Sequence, residues 1–544
     1  MTWVPARARA VVYSGADLRG RPHARGWRAC IAPALVALVA VASGCGGASS
    51  DDRTDRAATG DGRAPVGDEL TIAQAAPPNS LDPAKINQAF EWYVNLAYEP
   101  LIFWGPDGKP KPGLAMSWTY VGDGNRVFDL ELRPGVKFSD GSPLTAEAVK
   151  ASLEYQMKAG GQAQPYLAGK TVKVTGPLSL RITSKSPDPE LARELSQDYL
   201  AGNIISPKGL EDPERLATTS AGAGPYVLDA AATVPNDRYT YVPNSNYHDP
   251  DAIHYRRVVI RVIPNQNSAL NALKTGQVDV VNGDSTTATE AESAGLQVKF
   301  APQVFVGLGL LDRAGELAPP LGDVRVRQAL NYAIDREKIA RALLGKFGTP
   351  TEQTVVPGQD GALDETVYDH DPERARQLLA EAGYADGFTL PVLTTTFFGQ
   401  DRFVQAIAGE LEGVGVKLKL TTRPDPASYV NDMVARKFPA VGLSYGGQPM
   451  YLQGPGLFLS SAATFNPFGS SDEQVDDLYA RAAAAPPDER AELDRQMERR
   501  LVEEAWFVPA ALSPVFYFAR KGIEGIEPSA GQPITNPVWW HEAG

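Results

Sequence analysis

Two periods of apolar residues alternate along this chain. Phe128, Leu130 and Leu132 are separated by Asp129 and Glu131, and Val416, Leu418 and Leu420 by Lys417 and Lys419. A repeat of two sets every second side chain on one face, so both stretches predict half-buried strands, and 256–263 predicts another. Elsewhere the period lengthens. Val149, Leu153 and Met157 recur at helical spacing behind Thr145, whose hydroxyl suits the first turn's free amides, and predict an amphipathic helix over 146–158. Asp371-Pro372 and Gly383 bracket a second helix, with proline at its start and glycine just past its end. Asp323 and Asp335 open two more, over 324–334 and 336–344, the last stopped by Gly345.

Strand and helix signals interleave irregularly from Glu69 to the C terminus without a fixed repeat. That pattern predicts mixed α/β lobes and argues against a bundle, a sandwich or a solenoid. At 544 residues the chain exceeds one ordinary core, so two or three lobes are expected. The start differs. Six arginines between Arg7 and Arg28 face one acid, Asp17, and lead into an apolar run from Ile31 to Ala42 that ends Ala42-Ser43-Gly44-Cys45. This is the layout of an export signal, too short in its apolar part to span a bilayer, and it predicts cleavage before Cys45. From Gly46 to Asp68 the chain is rich in Gly, Ser, Ala and Asp, cannot bury enough apolar surface to fold, and reads as a flexible tether.

The formal net charge is −13 with no basic block in the body, which removes nucleic acid from the expected partners. The two cysteines, Cys30 and Cys45, both precede the body, and the five histidines show no metal-ligand spacing, so neither a metal nor a cofactor is expected. Gly442-Leu443-Ser444-Tyr445-Gly446 fits the G-x-S-x-G of a hydrolase nucleophile elbow, but Gly446-Gly447-Gln448-Pro449 would break the helix that must follow, and only His541 lies downstream as a base. Gly169-Lys170-Thr171 lacks the first glycine of a phosphate loop, since Gln164 stands there.

Several segments, in order, carry a resemblance: Ser80-Leu81-Asp82-Pro83, Tyr98-Glu99-Pro100-Leu101-Ile102, Leu132-Arg133-Pro134-Gly135-Val136, Ser139-Asp140-Gly141-Ser142-Pro143-Leu144-Thr145-Ala146, Gly222-Ala223-Gly224-Pro225-Tyr226 and Val326-Arg327-Gln328-Ala329-Leu330-Asn331-Tyr332-Ala333-Ile334-Asp335. Together the matched stretches span most of 69–520, and the chain resembles the family 5 extracellular solute-binding proteins, the oligopeptide, dipeptide and nickel-binding class of ABC importers. The resemblance implies an α/β, periplasmic-binding-protein-like two-lobe (Venus flytrap) fold of the large class, with an extra inserted subdomain. On that basis 1–44 is the signal peptide and 45–68 the tether. The first lobe is 69–105, 225–299 and 505–544, the inserted subdomain 106–224, and the second lobe 300–504.

The implied function is capture of a peptide-like or similarly sized polar solute between closing lobes and delivery to an ABC permease, by a monomer without catalysis. The small residues before Cys45 resemble a lipobox, with Ala42 where leucine is usual, which implies acylation of Cys45 and anchoring to the outer face of the cytoplasmic membrane. A surface sensor without a transport role and a serine esterase using Ser444 are the alternatives.

In peptide-binding members an aspartate in a Trp-x-x-Asp-Tyr-x-x-Pro-like segment pairs with the ligand's free amine. Aligned on Pro449, that position here is Tyr445, and no carboxylate occurs from Ala440 to Leu459. The expected ligand is therefore a blocked or cyclic peptide, a glycan fragment, an opine-like conjugate or a metal chelate, unless another acid does the pairing. The candidate lining residues are Ser444, Tyr445 and Gly446, Phe397 and Phe398 after the strand ending near Thr396, and Asn87 and Phe90 after the Ser80–Pro83 motif. Each aromatic among them suits core packing equally well.

Overall fold

The computed structural model describes residues 67–396, 399–459 and 463–544. The predicted local elements form where their caps allow. The helix Ala146–Gln156 starts at Thr145, whose hydroxyl accepts from the Ala148 amide at 3.2 Å. The helix Pro372–Glu381 starts at Asp371, which accepts from Arg374 at 2.9 Å, and Gly383 follows its end with a φ of +89° that suits glycine alone. The helix Val324–Tyr332 stops two residues short of the expected end, because Asp335 is drawn out to cap the next helix, Arg336–Leu344, through the Lys338 amide at 2.9 Å. The strand expected over 256–263 pairs only from Val258 to Val262.

One sheet runs through both lobes. Its strands lie in the order Val416–Arg423, Phe388–Thr395, Ala440–Tyr445, Gln297–Leu310, Phe507–Ala519, Val280–Gly283, Leu70–Gln74, Val258–Val262, Arg238–Pro243 and Tyr226–Leu228. The two longest, Gln297–Leu310 and Phe507–Ala519, pair antiparallel along almost their whole length and carry the chain from one lobe into the other. Their ladder is interrupted twice, once at Gln303, skipped between Pro302 and Val304, and once at Ala510, skipped between the partners of Val306 and Gly307. At the first interruption Pro302 faces Pro514, and neither has an amide hydrogen to give the ladder. The link between lobes is therefore continuous yet locally weakened.

Of the hydrophobic cores among the described residues, three mark out the bodies of the fold. The first gathers Leu70, Ile72, Trp92, Tyr93, Tyr241 and Ile260, with Tyr517 from a long strand and Trp540 from the C-terminal segment. The second packs the helices around Leu330, Ile339, Leu379 and Val404 on Val306, Leu308, Val392 and Val416. The third belongs to a separate antiparallel sheet of four strands, Ala115–Tyr120, Val127–Leu132, Ser179–Ser184 and Lys170–Gly176, covered by the helix Ala146–Gln156 through Val149 and Leu153. This third core is the extra subdomain of the large two-lobed class. Among the described residues no helix is long and apolar enough to cross a membrane.

Candidate functional site

The subdomain and the second lobe touch across the interlobe gap, and the contacts are specific. The Tyr451 hydroxyl donates to the Pro187 carbonyl at 2.8 Å, and Arg490 donates to Pro189 at 3.1 Å while pairing with Glu190 at 3.2 Å. Asn125 donates to the Ala483 and Ala485 carbonyls at 3.0 and 2.9 Å. The C-terminal segment crosses the same gap: Ala530 accepts from Gln359 at 2.6 Å, and Gly531 accepts from Arg193 at 3.0 Å. These contacts form a seam between the lobes.

Its second-lobe wall is neutral. Ser444 and Tyr445 end the strand Ala440–Tyr445, opposite Val306 and Phe305 of a long strand, and Gly446 leaves it with a φ of +124°. The Tyr445 ring meets Phe465 edge-on with centroids 5.4 Å apart. Burial raises the Tyr445 hydroxyl's pKa. Gly456 makes this placement possible, since a Cβ there would stand 2.2 Å from the Tyr445 hydroxyl oxygen. Behind the strand end lies a recess of about 170 Å³ lined by Thr395, Gln400, Pro426, Tyr429, Leu443, Ser444 and Phe465. Among the described residues the Ser444 hydroxyl and the Gln400 side-chain oxygen are buried without a hydrogen-bond partner, polar capacity of the kind a ligand or water would satisfy.

The facing wall is acidic. Lys170 lies 2.5 Å from Asp188 and 3.3 Å from Glu194, with all three side chains almost wholly buried. Burial alone would lower the Lys170 pKa, but Glu194 and Asp188 together raise it. Burial, and then Asp188, raise that of Glu194. Nearer the long strands, burial pushes Glu91 up to about 8, with Asp198 adding to the effect. Burial likewise pushes Asp198 up to about 6 against the opposing pull of Arg193. Arg193 lies 4.8 Å over the Trp104 ring. Aromatics bridge the two walls: Tyr199 meets Tyr166 edge-on at 4.9 Å, and Tyr166 feels the Tyr445 hydroxyl across the gap.

The sequence-derived candidates divide accordingly. Ser444, Tyr445 and Gly446 stand on the neutral wall. Asn87 is exposed, but its side chain is occupied as a cap that accepts from Ala89 at 3.0 Å. Phe90 is half-buried against the first core, its ring 6.4 Å from Tyr93. Phe397 and Phe398 lie outside the described residues, as do Cys45, the signal segment and most of the tether. The strand runs straight through Ser444, without the sharp turn of a nucleophile elbow, and His541 sits in the C-terminal hairpin 3.6 Å from Glu524. Glu91, Asp198, Arg193, Tyr166 and Tyr199 were absent from the sequence-derived set, since only the folded chain brings them together. A larger cavity of about 830 Å³ lies between the hairpin of Phe103 and Lys111 and the C-terminal residues Ile523 to Glu527, and none of the seam residues above lines it.

Two lobes joined by a shared pair of long strands and meeting along a specific seam are the architecture of a solute receptor of the periplasmic-binding type. The family model of the bacterial extracellular solute-binding proteins, family 5 Middle, matches residues 109–464, and the chain belongs to that family. The glutathione-binding protein GsiB of Salmonella paratyphi A is 25% identical over 488 residues, which cover 85% of this chain and 93% of that protein. The substrate-binding protein CtaP of Listeria monocytogenes shares the fold with a TM-score of 0.76 at 21% identity, over 88% of this chain and 100% of its own. AgaA from A. tumefaciens R10, solved with agropinic acid, superposes with a TM-score of 0.70 at 25% identity, over 88% of this chain and 99% of its own.

Proposed function

We propose that this protein is an exported receptor that captures a small, peptide-like polar solute between its lobes and presents the closed, loaded form to an ABC permease for import. The observation that carries the reading is the recess at the end of the strand Ala440–Tyr445, where the Ser444 hydroxyl and the Gln400 side-chain oxygen are buried without a hydrogen-bond partner among the described residues. Closure removes water from such a site, so each hydrogen bond to the solute is formed in a low-dielectric setting. The relatives point to the same size class, one binding glutathione and one agropinic acid. Cys45, following Ala42-Ser43-Gly44, is the point of lipid attachment in this reading, and 46–68 the tether that lets a monomer reach its permease. The lobe boundaries near 105, 224, 299 and 504 belong to the same proposal, as do Ser444, Tyr445 and Gly446 as lining residues.

The test is native mass spectrometry of the full chain extracted from membranes without denaturation. The expected result is one retained solute of a few hundred daltons, together with an N-terminal fragment that begins at Cys45 and carries acyl chains. A chain that holds no solute, and whose melting temperature is unmoved by any small polar molecule, would overturn the reading.

A further inference from the structure

Three strands of the second lobe, Phe388–Thr395, Val416–Arg423 and Ala440–Tyr445, run parallel, with the first in the middle. The chain leaves the middle strand for one neighbour and then returns on its other side, so the connections diverge there. Phe388–Thr395 and Ala440–Tyr445 pair at Val392 with Ala440 and at Leu393 with Val441. Beyond these pairs the strands part, and the recess of about 170 Å³ opens between Thr395 on one and Leu443 and Ser444 on the other. A crevice at the carboxyl ends of parallel strands, where the connections diverge, is where open α/β sheets hold ligands.

Two helices begin at this crevice. Gln400 opens Gln400–Glu412, Pro426 opens Pro426–Val434, and both residues line the recess. The second helix is capped, since Asp425 accepts from the Ser428 amide at 2.8 Å. The first has no side-chain cap behind Gly399, and an uncapped helix start presents amide donors and a partial positive charge.

A further observation is independent of the helix. Gln400 is 5% exposed, and its Oε1 meets no donor among the described residues. The Tyr429 hydroxyl donates to the Gly442 carbonyl and also bonds the Gln400 side chain. Its single hydrogen is spent on Gly442, so the Gln400 nitrogen donates to Tyr429 and the Gln400 oxygen is the atom left over. The Ser444 hydroxyl is likewise buried and unpartnered among the described residues.

Charge then decides what the recess accepts. None of its lining residues is charged, and Arg402, which folds over Gly399, is not among them. A carboxylate would suit the helix start yet set its charge against the Gln400 oxygen. An ammonium would suit that oxygen yet oppose the helix start, with no counter-charge to offset its burial. A neutral group that both accepts and donates satisfies the two together. Pro426, Tyr429, Leu443 and Phe465 supply apolar walls, and a cavity of roughly 150 Å³ is enough for a benzene ring.

We propose that this recess is a side pocket of the solute site that takes an uncharged, ring-sized group bearing a hydroxyl or an amide, with Gln400 as the residue that selects it. The inference rests on the solute-receptor reading and narrows the cargo to molecules that carry such a group.

The test is a ligand-detected NMR titration of the full chain, dialysed free of solute, with phenol, benzamide, benzene, benzoate and benzylammonium as probes. The expected result is that phenol or benzamide binds about tenfold or more tighter than the other three. Gln400→Leu, which keeps the bulk and removes the acceptor, is expected to bring that probe down to the affinity of benzene. Benzoate or benzylammonium binding as tightly as the neutral polar probes would overturn the uncharged pocket, and benzene doing so would overturn Gln400 as its selector. Binding of none overturns the pocket as well. Solute capture is decided separately, by the co-purified mass. Because the probes differ and the protein does not, the comparison does not depend on the variant folding.

Discussion

The two sides of the seam between the lobes are built by opposite means. The second-lobe wall presents a strand end, a tyrosine and a serine without a single carboxylate from Ala440 to Leu459. The facing wall concentrates Glu91, Asp188, Glu190, Glu194 and Asp198 around three cations. Charged and neutral side chains are thus segregated between the two sides of the seam. The acids are also the reason the two walls should respond differently to mutation.

The largest expected effect is on the acidic wall. Lys170→Met leaves Asp188 and Glu194 buried without their cation and should cost about 3–5 kcal/mol in urea unfolding. A loss below about 1 kcal/mol would show that the two acids share a proton and need the lysine little.

On the neutral wall the sensitive point is steric. Gly456→Val would drive a side chain into the Tyr445 hydroxyl, and should weaken solute binding about tenfold or more by calorimetry with a smaller effect on unfolding. Unchanged affinity would remove Tyr445 from the binding surface.

The pH dependence should come from the acidic side. Glu91 titrates near 8 when folded against an ordinary value of 4.5, so the folded chain holds a proton that the unfolded one releases. Stability on this account is greatest below about pH 4.5 and declines until the folded group has ionised near pH 8. Glu91→Gln should flatten this slope, measured as melting temperature against pH, and a slope that survives it would assign the proton to another group.

The smallest effect is expected at Ser444. Its hydroxyl is unpartnered among the described residues, so Ser444→Ala should change stability by no more than about 0.5 kcal/mol. A several-fold loss of affinity would then mark a hydrogen bond made only to solute.

How much of this the sequence disclosed depended on whether a feature is local. The helix at 146 and the pair opened by Asp323 and Asp335 were legible because each cap lies within three residues of the amide it satisfies. The strand end that holds Ser444 and Tyr445 was located through the resemblance, by alignment on Pro449. Asn87 and Phe90 were found by proximity to a motif, and local contacts occupy both, a cap for Asn87 and an edge against Tyr93 for Phe90. Glu91 and Asp198 gave no signal, because in a chain with 65 acidic residues an acid next to an aromatic reads as solvated surface. Their burial is imposed by Trp92, Tyr517 and the returning C-terminal segment, contacts between distant parts of the chain.

The two interruptions in the long ladder fall on opposite strands, one extra residue at Gln303 and one at Ala510, so the second cancels the first and the pairing of Gly307 with Pro509 recovers the phase lost after Pro302. Only the short stretch between them is out of step. Torsion taken up there need not propagate into either handle of the sheet. How fast the receptor opens and what it carries are therefore written in separate stretches of chain, and a lineage could retune its rate of delivery without changing its cargo.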